Sequence, residues 1–150
     1  MNNLDASHNG GDSLTHPPVG SHCILELRGC ASDRLNDEAF IREALTQASK
    51  EGMSTLLKLE SQKFDPQGVT AFAILAESHI SIHTWPELQY AAVDVFTCGE
   101  TAKPRLACEY MAKAFSAASY TLKEVPRGMC VSPYKPSEVV SSGEAGVCSN

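Results

Sequence analysis

Cysteine pairs at metal or redox spacing are missing. None of the six cysteines (Cys23, Cys30, Cys98, Cys108, Cys130 and Cys148) forms a C-x-x-C motif, which argues against zinc-ribbon and thioredoxin readings. No apolar run is long enough to span a bilayer, and none near Met1 has the form of a signal peptide. The chain is therefore expected to be cytoplasmic, with reduced thiols and no membrane partner. Basic charge is scarce: 12 Lys and Arg stand against 18 Asp and Glu, a formal net charge of −6. Nucleic acid and anionic membrane need a basic surface, so both are disfavoured as partners. The G-x-S-x-G nucleophile elbow is also absent, which weakens a serine-hydrolase reading. No internal repeat is visible.

What remains is ordinary globular material. With 150 residues and 43% hydrophobic content, the chain can form one domain around a real core. Residues 1–20 are polar and reach Pro17-Pro18, and 128–150 are rich in Pro, Ser and Gly. Both ends are expected to be flexible, with the ordered core over 21–127.

Within that core, 23–27 reads as a strand. Asn36 is the expected N-cap of a helix whose stripe is Phe40, Ile41, Ala44, Leu45 and Ala48, with Gly52 as its stop. Further strands are expected over 55–60, 69–76, 80–84, 91–97 and 121–125, the run 69–76 being continuous enough to suggest full burial. Pro104 suits a helix start, and Leu106, Ala107, Tyr110, Met111 and Ala114 give a second apolar stripe. The order β-α-β-β-β-β-α-β points to an α+β protein: a single mainly antiparallel sheet with two helices on one face. The bare face then needs a cover, and a second copy of the chain is the simplest one.

The chemistry is concentrated between Leu75 and Glu100. A hydroxyl, two imidazoles, carboxylates and a thiol lie on two adjacent strands: Ser78, His79, His83, Glu77, Glu87 and Cys98. A reversal near Pro86 to Gln89 would bring Ser78, His83 and Cys98 toward one another. Composition and spacing leave bland alternatives open. Ser78 and His83 could be ordinary strand residues, and Cys98 a small buried hydrophobe. His79 and His83 would share a strand face about 13 Å apart, too far for a common metal, so none is expected.

The motif as a whole is more specific. Glu77-Ser78-His79, then His83-Thr84-Trp85-Pro86-Glu87, then Phe96-Thr97-Cys98-Gly99 closely resembles the prokaryotic S-adenosylmethionine decarboxylase proenzyme, over residues 20–126. The resemblance implies a self-processing enzyme cut between Glu77 and Ser78 into a β chain and an α chain. It implies that Ser78 becomes a covalent pyruvoyl cofactor, which forms a Schiff base with the substrate amine. It implies His83 as the processing base and Cys98 as the proton donor to the substrate. Thr70 stands where the family has a processing serine, which keeps a hydroxyl but adds a methyl. Phe64 falls where an aromatic stacks on adenine, and Glu87 where a carboxylate holds the ribose hydroxyls. The implied substrate is S-adenosylmethionine, the product serves spermidine synthesis, and the αβ units associate as dimers or higher. The rivals are an arginine or ornithine decarboxylase on the same scaffold, and a non-catalytic regulatory homologue. The second would be expected to lose Ser78, His83 or Cys98, and all three are present.

Overall fold

The computed structural model describes residues 17–129 and 131. The termini expected to be flexible lie almost wholly outside these residues. The elements run β1 (Gly20–Arg28), α1 (Ser32–Leu35), α2 (Glu38–Glu51), β2 (Leu56–Lys63), β3 (Val69–Leu75), β4 (Ser78–Trp85), a 3₁₀ turn (Pro86–Leu88), β5 (Tyr90–Cys98), α3 (Pro104–Ala114) and β6 (Ser119–Arg127). The six strands among the described residues form one sheet in the order β2-β3-β4-β5-β1-β6, and every neighbouring pair is antiparallel. The α+β reading is thus correct, with one helix more than expected.

That extra helix, α1, displaces the expected cap. Asp37, not Asn36, caps α2 by accepting from the Phe40 amide at 3.0 Å. Asn36 ends α1 instead, and its Oδ1 accepts the Gly68 amide at 3.0 Å. A one-turn helix carries too little periodicity to be read from sequence. The stop at Gly52 and the start at Pro104 fall where expected.

The core lies between the sheet and the two longer helices. Leu25, Leu27, Ile80, Ile82, Val93 and Val95 point to the helix side, against Ile41, Leu45, Met111 and Phe115. Alternation along each strand sends the intervening side chains to the other face. This corrects the reading of 69–76 as a fully buried run. In β3 only Val69, Ala71, Ala73 and Leu75 are buried, while Phe72 and Ile74 remain 41% and 40% exposed. Ile24 and Trp85 are open to a similar degree. A single sheet has one helix-covered face, so a continuous apolar sequence still leaves half its side chains uncovered.

Candidate active site

Chain reversal between β3 and β4 presents the Glu77–Ser78 peptide bond at one end of the sheet. Ser78 pairs with Thr97, which sets Cys98 beside this bond at the end of β5. The Glu77 carbonyl oxygen accepts two hydrogen bonds there: from the Cys98 amide at 2.8 Å and from the Cys98 thiol at 3.1 Å. Thr55 grips the same residue from the other side. Its amide donates to the Glu77 carboxylate at 2.8 Å and its hydroxyl at 3.3 Å, while its carbonyl accepts from the Ala76 amide at 2.9 Å. Ser78 itself has φ of 142°, a left-handed conformation that disfavours any side chain. Such a backbone stores roughly 1–3 kcal/mol and persists only where its surroundings hold it.

His79 adjoins this bond. Its Nδ1 lies 3.2 Å from Ser78 Oγ. The ring stacks on Phe72, with centroids 5.1 Å apart, and meets Phe96 edge-on at 6.0 Å. Burial lowers its pKa below the usual histidine value, and the neighbouring His22 pushes the same way, with Asp94 opposing. Sequence reasoning weighed His79 only as a metal ligand. Its place directly after Ser78 was the available signal, but the twist at Ser78 that brings the two side chains together was not.

His83 occupies the far end of β4, five residues on. At strand rise that is about 16 Å from Ser78. Antiparallel pairing therefore unites Ser78 with Cys98 but leaves His83 apart, which corrects the expectation that all three converge within one chain. His83 instead meets Thr70 across the β3–β4 ladder, with Nδ1 and Oγ1 2.8 Å apart.

Phe64 and Glu87 belong to this second end. Glu87 sits in the 3₁₀ turn, and its carboxylate accepts from Gln67 Nε2 at 3.1 Å. Gln67 is in the β2–β3 turn with Phe64, which is 50% exposed. Both turns are tied to α1. Ser32 Oγ donates to the Pro86 carbonyl at 2.8 Å, and Asn36 receives the Gly68 amide at 3.0 Å. Buried Thr84 adds a third tie, donating to the Leu35 carbonyl at 2.7 Å and accepting the Val69 amide at 2.8 Å. Gly68, with φ of 100°, is required here, since a Cβ would stand 3.0 Å from the Thr84 carbonyl oxygen. Gln67, Ser32 and Asn36 were missed from sequence, because nothing in their spacing announces contacts across the turn.

The open antiparallel sheet, with the cradled Glu77–Ser78 bond at one end of its inner strands, places the chain in the α+β class. Residues 21–128 match the model of the S-adenosylmethionine decarboxylase family. The chain belongs to that family. It is 55% identical over 109 residues to the S-adenosylmethionine decarboxylase proenzyme of Prochlorococcus marinus strain MIT 9313, covering 73% of this chain and 87% of that one. The proenzyme of Carboxydothermus hydrogenoformans is 45% identical over 123 residues, covering 82% and 97%. The crystal structure of the adenosylmethionine decarboxylase from Aquifex aeolicus VF5 superposes with a TM-score of 0.72 at 34% identity, over 79% of this chain and 98% of that one. Among the described residues no helix is long and apolar enough to cross a membrane.

Proposed function

We propose that this decarboxylase acts on S-adenosyl-L-methionine, with a pyruvoyl group that it makes from its own Ser78. The observation that carries the reading is the state of the Glu77–Ser78 bond. Two donors from Cys98 polarise its carbonyl, and the serine that follows is held in a strained conformation. Attack by Ser78 Oγ on the Glu77 carbonyl carbon would turn the amide into an ester, and the Cys98 donors would stabilise the oxyanion formed on the way. Removal of the Ser78 Cα proton then breaks the Cβ–O bond. The Glu77 carboxylate leaves, position 78 becomes dehydroalanine, and hydrolysis releases ammonia.

His83 is the base for that elimination, because an imidazole nitrogen can accept the proton and Thr70 orients the ring. It would serve the Ser78 of a second copy. A dimer packed through the bare sheet face would cover Ile24, Phe72, Ile74 and Trp85, and a two-fold axis there would set the His83 end of one copy against the Ser78 end of the other. In the mature enzyme the pyruvoyl ketone supplies an electron sink for loss of carbon dioxide from the bound amino acid. The Cys98 thiol, which donates to the Glu77 carbonyl here, is placed to deliver a proton onto the substrate α-carbon. Glu87 is suited to accept hydrogen bonds from both vicinal ribose hydroxyls, and exposed Phe64 offers a face for adenine.

The match to the S-adenosylmethionine decarboxylase model favours this substrate over arginine or ornithine. The product would then feed spermidine synthesis in the cytoplasm. The domain reading is a catalytic unit over 21–127 with extensions of 1–20 and 128–150. Intact mass spectrometry tests the proposal directly. The expected result is two chains, 1–77 and 78–150, the latter short of one ammonia, together with carbon dioxide release from S-adenosylmethionine. A single uncut chain, or release from arginine or ornithine instead, overturns it.

A further inference from the structure

Cleavage at Ser78 moves two different protons. One leaves the Ser78 hydroxyl when Oγ attacks, and the other leaves Cα during elimination. His83 lies about 16 Å down the strand from its own Ser78. A different imidazole, that of His79, already touches the hydroxyl at 3.2 Å. We propose that His79 is a catalytic residue of the first step: its Nδ1 takes the Ser78 hydroxyl proton as Oγ bonds to the Glu77 carbonyl carbon. The resulting oxyanion rests on the Cys98 amide and thiol. Its collapse breaks the C–N bond, and the imidazolium returns the proton to the departing Ser78 nitrogen. The products are an ester, a free amine and a neutral His79, so atoms and charges balance.

Three parts of an acyl-transfer site thus converge on one bond: a nucleophile, a base within hydrogen-bond reach and a two-donor oxyanion cradle. The base is also fixed in orientation. Phe72 stacks on its face, with 20° between the ring planes, and Phe96 meets it edge-on. Acceptance at Nδ1 requires the remaining ring proton on Nε2. The neutral form that a base needs is favoured by burial first and by His22 second. The charged groups facing the ring are His22 from β1 and Asp94 from β5, themselves 3.1 Å apart, with Arg127 of β6 3.1 Å from the other side of His22. The β3 residues beside the ring, Phe72 and Ile74, carry no charge.

The inference rests on the self-cleavage proposed above, and its test separates the two. In His83→Ala the ester should form and accumulate, because elimination is blocked. Hydroxylamine cleaves esters but not amides, so ester formation can be timed on a denaturing gel in protein freshly made by cell-free translation. Adding His79→Phe, which keeps an aromatic ring against Phe72, should slow ester formation about a hundredfold or more. In His83→Ala alone the rate should rise with pH through a pKa below the ordinary histidine value and then level off. A double variant forming ester as fast as His83→Ala overturns the role of His79. Should the double variant fail to fold, a flat pH profile for His83→Ala overturns it equally. Wild-type protein that never cleaves sinks the self-cleavage reading itself.

Discussion

Thr70 and His83 meet across the β3–β4 ladder with Oγ1 and Nδ1 2.8 Å apart, at the opposite end of β4 from Ser78. One end of the sheet therefore holds the Glu77–Ser78 bond, and the other holds the His83 imidazole. In the dimer proposed above, a single chain would carry half of each of two composite sites.

Subunit mixing tests this division. Ser78→Ala and His83→Ala should each fail to produce a pyruvoyl-bearing α chain. Co-expressed, they should form hybrids in which the Ser78 of one copy meets the His83 of the other. Recovery of activity toward half the wild-type level in purified hybrids is expected, and none would show that each chain processes itself.

The bare face can be challenged with a single charge, read first by oligomeric state because Ile74 also pairs with His79 across the β3–β4 ladder. Ile74→Glu places a charge on an apolar side chain that is 40% exposed and outside the core. The charge would have to be buried on pairing, at a cost of several kcal/mol. Sedimentation should show a folded monomer, and gels should show it largely uncut.

The Thr70–His83 contact predicts a graded effect on the elimination step. Thr70→Val keeps the shape but loses the hydroxyl, removing a hydrogen bond of about 1 kcal/mol, so ester conversion should slow roughly five- to tenfold. Thr70→Ser should restore it. A Val variant that converts at the wild-type rate would reduce Thr70 to a strand residue.

Glu87 and Gln67 predict a split between binding and chemistry. Glu87→Gln should raise KM for S-adenosylmethionine by about tenfold or more while cleavage proceeds, since a carboxylate hydrogen bond contributes roughly 1.5–3 kcal/mol. Gln67→Ala should do the same more weakly, because it only orients the carboxylate. A smaller KM difference between wild type and Glu87→Gln for the 2′-deoxyribose analogue than for S-adenosylmethionine would support the ribose assignment.

Much of the scaffold was legible from local pattern. Strand and helix periodicities, the stop at Gly52 and the start at Pro104 depend on neighbours a few residues away. The short α1 was not legible, and its absence misplaced the cap from Asp37 to Asn36. The same limitation hid Ser32, Asn36 and Gln67, whose partners Pro86, Gly68 and Glu87 lie 20 to 54 residues away.

The amino-acid order alone determined the family, the bond at Glu77–Ser78 and the chemical types gathered around it, because those are carried by residue identity and spacing. Folding decided which of those groups meet. An extended strand separates residues five apart by more than the reach of a side chain, so His83 leaves Ser78 while Cys98, twenty residues on, arrives beside it. The φ of 142° at Ser78, whose hydroxyl lies 3.2 Å from His79, occurs where Thr55 and Cys98 hold Glu77 from both sides, partners 22 and 21 residues away in sequence.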